Sequence, residues 1–218
     1  MSELFDEIDE EMRAERLAKL WKEYAPYVIG VMAVVLAGVG GWRYYTYLEA
    51  EKSAKVSVVF DRAVILSEQN NHADAEALFN ELSATAPKGY RSLARLHAAG
   101  EVAARDVKAA ARMFDDIAAD SSIGVAQRQL AEIRAAGLLL DNAGYAEMLR
   151  RLERFTVPSS SFRHTAREML ALSAWREGDM ASARKWVEAV QDDPETPEKI
   201  RERVVDALGA MLPEAGRS

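Results

Sequence analysis

The chain has no cysteine, which excludes disulfides, thiolate metal sites and a cysteine nucleophile. This does not fix the compartment, because a helical domain of this size can be stable without crosslinks in an oxidising or a reducing space. No stretch reads as a convincing strand, and no glycine-rich phosphate loop follows one. An excess of positive charge is also missing. Of a net charge of −7, residues 1–23 contribute −4 (eight Asp or Glu against four Lys or Arg), leaving −3 for the rest. Neither part offers the basic surface that displaces counterions from phosphates, so no nucleic acid is expected as a partner. Hydrophobic residues make up 49% of the 218 positions, ample material for a core.

One segment lacks charge altogether. From Tyr24 to Trp42 there are 19 uncharged positions, which as a helix span roughly 28 Å, the thickness of a hydrocarbon core. Trp21, Tyr24 and Tyr27 frame the run on one side and Trp42, Tyr44, Tyr45 and Tyr47 on the other, as aromatic belts do at two membrane interfaces. Pro26 is placed in the first turn, where its missing N–H costs little. The segment therefore reads as a transmembrane helix over 24–43. A cleaved signal peptide and a buried helix are the alternatives; the long acidic leader argues against the former. Arg13, Arg16, Lys19 and Lys22 precede the run, whereas Arg43, Lys52 and Lys55 follow it, a four-to-three bias toward a cytoplasmic N-terminus. Gly30, Ala33, Ala37 and Gly41 share one face, either a surface for helix packing or the ordinary composition of a membrane helix.

Beyond the run there is no proline or glycine between Tyr44 and Pro87, so the helix is expected to continue over 44–71, with Val56, Val59, Phe60, Ala63, Val64 and Leu66 on its apolar side. Asn70 and Asn71 suit a turn. Self-similarity then appears. Ala75, Phe79 and Leu82 recur 35 residues on as Ala110, Phe114 and Ile117, again after 35 as Tyr145, Leu149 and Leu152, and after 38 as Ala183, Val187 and Val190. That is the period of a helix-turn-helix repeat. Between these second helices lie first helices at 89–102, 122–140 and 161–177, the middle one with Ile123, Ala126, Leu130, Ile133, Gly137 and Leu140 on one stripe. Pro87, Pro158 and Pro194 each follow a second helix. Thr196 and Pro197 read as N-cap and first turn of a closing helix through Val204, Val205, Leu208 and Leu212. The expected fold is all-α: a leader over 1–23, the transmembrane helix, its extension, an α-solenoid of degenerate tetratricopeptide-like helix pairs over 72–213, and a tail over 214–218.

Together the charged leader, a span ending in Gly40-Gly41-Trp42-Arg43 and the degenerate repeats resemble the YfgM-like family of bacterial inner-membrane proteins. The stretches that carry the resemblance are His72 to Leu96, with the turn Ala86-Pro-Lys-Gly-Tyr90, and Phe162 to Leu212, with Ala166-Arg-Glu and Trp175-Arg-Glu-Gly-Asp. The resemblance implies a cytoplasmic N-terminus, a periplasmic repeat domain, and partnership with the Sec translocon and periplasmic chaperones. Most Trp, Gly and Tyr positions of the standard tetratricopeptide pattern are absent here.

Catalytic machinery, cofactor sites and a small-molecule substrate are not expected. His72, His97 and His164 fall in different repeats without a second ligand at useful spacing. Ser159 to Ser161 precede a helix, as capping hydroxyls do, without the strand-to-helix elbow of a hydrolase. The pairs Asp115-Asp116 and Asp192-Asp193 point apart on a helix and read as solvated surface. The first helices carry Arg91 and Arg95, Arg128 and Arg134, and Arg163 and Arg167. On an acidic domain these guanidinium groups form a candidate partner-binding row for carboxylates; local pairs such as Arg128 with Glu132 are the alternative. The functions in view are an ancillary translocon subunit that hands secreted chains to chaperones, a periplasmic scaffold for envelope assembly or cell division, and a regulator acting through the leader residues Phe5, Ile8, Met12, Leu17, Leu20 and Trp21.

Overall fold

A computed structural model describes the backbone of residues 2–208. Those residues form an all-α repeat architecture without a strand: α1 (Ser2–Glu68), α2 (His72–Thr85), α3 (Lys88–Val102), α4 (Val107–Ala119), α5 (Val125–Leu139), α6 (Tyr145–Leu152) with a 3₁₀ turn at Glu153–Phe155, α7 (Arg163–Arg176), α8 (Met180–Gln191) and α9 (Glu198–Leu208). The chain divides into two units, Met1–Ala54 and Lys55–Ser218.

In the first unit the backbone is helical throughout its described part, and Pro26 lies inside α1. It therefore does not occupy a first turn; the helix begins far upstream, and the ring removes one N–H from the ladder. The described apolar side chains of the uncharged run are open on every side, from Val35 at 55% to Val34 at 73% exposed. Among the described residues no helix is long and apolar enough to cross a membrane, so the expected transmembrane helix over 24–43 is not supported by them. Within that run Ala25 and Val28 have side chains outside the described residues, as do the leader residues Phe5, Ile8, Met12, Leu17 and Leu20.

The second unit is built from overlapping joints. The last turns of α1 (Phe60, Ala63, Val64), α2 (Ala75, Phe79, Leu82) and α3 (Ala94, Ala98) form one apolar cluster. Leu96 and Ala99 of α3 then join Phe114 and Ile117 of α4 and Ala131 and Ala135 of α5 in a second. Ile133 and Ala136 of α5 open the third, with Met148, Leu152, Phe155, Leu170, Val187, Val190, Val204 and Leu208. Each cluster shares a helix with the next, the nearest-neighbour logic of a repeat protein. Alanines at the closest approaches let backbones come together while larger residues fill the flanks. For that reason α5 buries Ala131, Ile133, Ala135 and Ala136, whereas Ala126 and Gly137 of the expected stripe are exposed.

The repeat register differs from the sequence reading in the third copy. Met148, Leu152 and Phe155 are all buried, while Tyr145 and Leu149 are only partly so. Ala75, Ala110 and Ala183 each occupy the fourth position of their helix, but Tyr145 is the first of α6, after Gly144 as N-cap. The equivalent position is Met148. The joints thus recur at 75, 110, 148 and 183, and the three extra residues enter before α6. Tyr145 instead accepts a hydrogen bond from Trp186 Nε1 at 2.9 Å.

Turn chemistry explains the corners. Asn70 ends α1 in the left-handed region at φ 59°, with its N–H donating to Ser67 O and that of Asn71 to Leu66 O, both at 2.9 Å. Gly178, at φ 79°, repeats this after α7. Asp106 and Asp179 then cap α4 and α8 by accepting from Ala109 and Ser182 N–H groups. Thr196 does not cap α9. Its hydroxyl is buried and donates to Val190 O at 2.8 Å, while Pro197 O accepts from Ile200 and Arg201. Arg203 of α9 forks onto buried Glu168 of α7 at 2.7 and 2.8 Å. Leu212 and the tail 214–218 lie outside the described residues.

Candidate interaction surface

Buried Ala94, Ala131 and Ala166 mark equivalent points on α3, α5 and α7. Three residues before them stand Arg91, Arg128 and Arg163, and one residue after them Arg95, Glu132 and Arg167. The second set forms a repeated tie to the end of the following second helix. Arg95 Nη1 donates to Asp120 Oδ2 at 2.6 Å, Glu132 accepts from Arg154, and Arg167 Nη1 donates to Asp193 Oδ2 at 2.8 Å. The middle pair has its charges exchanged. Arg163 Nε adds a second donor to Asp193 Oδ2 at 2.9 Å, and Arg167 also donates to Thr156 O and Ala189 O. The Arg163 and Arg167 side chains are only 12% and 11% exposed. Their guanidinium groups are thus occupied within the fold.

The others are placed differently. Arg91 Nε donates to Ala86 O at 3.0 Å. Among the described residues Arg128 is not paired with Glu132, and its Nε is buried without a hydrogen-bond partner. Arg134 is exposed. Arg91 and Arg95 line one cavity, Arg134 lines a second, and Arg163 with Arg167 converge on Asp193.

The second cavity, of 330 Å³, runs along successive first helices: Ser67 of α1, Leu93, His97 and Gly100 of α3, and Leu130 and Arg134 of α5, with Phe114 behind them. Leu93 is exposed there, and a Cβ added at Gly100 would meet nothing within 4 Å. Packing does not demand glycine at that point, although a helix-interior glycine costs about 1 kcal/mol. Leu93 and Gly100 carry no motif that marks them in the sequence. At the cavity rim buried Glu101 accepts from the Ser67 hydroxyl at 2.6 Å, and its other oxygen lies 2.7 Å from His72 Nδ1. Hydroxyl and imidazole share one carboxylate and do not bond each other.

His97 stacks on Phe79 at 4.9 Å and meets Phe60 edge-on at 5.2 Å. Burial pushes its pKa down; Glu101 opposes this and Arg134 adds to it. His164 has its pKa lowered by burial first, then by Arg163, with Asp193 acting oppositely, and its Nδ1 lies 3.0 Å from Thr196 Oγ1. Asp193 is held well below the usual carboxylate range, chiefly by Arg163. Among the described residues no group of three or more His, Asp or Glu is placed to hold a metal ion.

On α1, Gly30, Ala33, Ala37 and Gly41 are exposed, and a Cβ at Gly30 or Gly41 would meet nothing within 4 Å. A sequence profile described as tetratricopeptide repeat-like domain matches residues 18–209. Comparison with curated proteins and with solved structures finds no match.

Proposed function

The chain belongs to the tetratricopeptide repeat-like family, and from that premise we propose a protein-protein interaction module anchored in the bacterial inner membrane, its N-terminus cytoplasmic and its repeats periplasmic. Stacked helix pairs offer side chains from successive first helices to a protein partner, which is the general role of such a stack. The partner proposed is the Sec translocon together with a periplasmic chaperone, and the task is handover of secreted chains. The YfgM-like resemblance supports this finer reading.

One observation carries the anchor. In the uncharged run Ile29, Val31, Val34, Leu36 and Val39 are each at least 60% exposed. A helix apolar all round is stable only within a protein core or in lipid. Trp21 and Trp42, 65% and 72% exposed, stand at its ends, where amphipathic rings favour the headgroup region.

Crosslinking in native membranes, followed by identification of the attached proteins, tests the partner. Translocon subunits or periplasmic chaperones are the expected products. Division or envelope-assembly proteins instead, or a cytosolic protein joined to residues 1–23, would replace this reading with that of a scaffold or a tethered regulator.

A further inference from the structure

A cavity of 630 Å³, sharing no lining residue with the 330 Å³ one, lies between the first turns of α3 and α5. Its walls carry Lys88, Arg91 and Arg95 from α3, Asp120 and Ser122 from the α4–α5 connection, and Gly124 and Gln127 at the start of α5. Three cations against one carboxylate leave an excess of two positive charges, in a chain whose net charge is −7. Asp120 is already engaged, accepting from Arg95 at 2.6 Å and from the Ser122 hydroxyl at 2.7 Å. Among the described residues Lys88 has no ion pair, and Arg91 uses only its Nε, on Ala86 O. Both side chains belong to exposed residues. Pro87 and Gly124, the N-caps of α3 and α5, offer no side-chain acceptor to the first-turn N–H groups, so those donors add to the positive potential.

The arrangement of charge selects the ligand. With Arg95 paired to Asp120, the open donors stand on two helices: Lys88, Arg91 and the first-turn N–H groups on α3, and the first-turn N–H groups on α5. A ligand with several acceptors spans both sets, whereas a single small anion meets only one. An extended peptide places alternate side chains about 6.6 Å apart, a spacing that brings successive carboxylates past successive turns of α3. Resting on the interaction reading above, we propose that this cavity takes an extended acidic segment of a partner protein, with its carboxylates on Lys88 and Arg91 and on the free N–H groups of the two first turns. The 330 Å³ cavity along the first helices has a different lining.

The test is fluorescence anisotropy of a fluorescein-labelled hexaglutamate peptide with the full chain in detergent. The wild type binds it, more weakly as salt rises, and does not bind hexaglutamine. Lys88→Glu/Arg91→Glu binds at least about tenfold more weakly, and Lys88→Ala/Arg91→Ala moves the same way with less risk to the fold. Lys108→Glu/Lys199→Glu, with the same change in net charge, binds as the wild type does. The site is overturned if the wild type ignores hexaglutamate, if the cavity variants bind it equally, if the control pair loses it equally, or if millimolar inorganic phosphate displaces it as a simple anion site would allow. A wild type that crosslinks to a partner in membranes yet ignores hexaglutamate keeps the interaction reading and loses only this site.

Discussion

Phe79→Ala lowers the unfolding free energy by about 3–5 kcal/mol, and Phe114→Ala does the same. Phe79 is fully buried, packed among Ala63, Ala75, Ala94 and Ala98, with Phe60 edge-on at 5.3 Å and His97 stacked at 4.9 Å. Alanine neighbours cannot close the hole, since none has a longer side chain to swing in. Phe114 fills the next joint between Leu96 and Ala99 of α3 and Ala131 and Ala135 of α5. A domain of ordinary stability holds only about 5–15 kcal/mol, and in a stack each joint supports its neighbours, so losing one loosens the helices on both sides. Thermal unfolding followed by circular dichroism reads the effect. An unchanged Tm in both variants would contradict the joints described here.

The second large effect separates two registers. Leu152→Ala costs about 2–5 kcal/mol, whereas Leu149→Ala, at a partly buried position, costs distinctly less. Leu152 is fully buried with Met148, Phe155 and Leu170, and Leu149 lies only at the edge of that cluster. The comparison is made in urea, with equal m-values required so that the midpoints report stability alone. Equal costs would restore the sequence register, in which Tyr145, Leu149 and Leu152 form the joint.

These two experiments mark the border of what the sequence reveals. The joints at Phe79, Phe114 and Val187 are readable because a small residue followed four and seven positions on by larger ones repeats at a fixed helix position. The third copy misleads because α6 begins at Tyr145, immediately after Gly144, and periodicity along a chain does not show where a helix starts. The same limit applies to the arginines. Their recurrence on first helices is visible, but Arg95 meets Asp120 and Arg167 meets Asp193 across the joint, 25 and 26 residues away. Helical spacing exposes only partners three or four residues apart. Thr196 failed as a cap for a similar reason: its hydroxyl found Val190 O, six residues back. Lys88 and Gly124 carry no motif of their own, and only folding brings the first turns of α3 and α5 to one cavity.

The anchor and its orientation are tested together by fusing a reporter that is active only in the periplasm after Ser218 and following it through alkaline carbonate extraction. The expected result is an active reporter on a full-length chain that stays with the membrane pellet and dissolves in detergent. A reporter silent outside but functional in the cytoplasm, or one released as a shortened carbonate-soluble form, would contradict it.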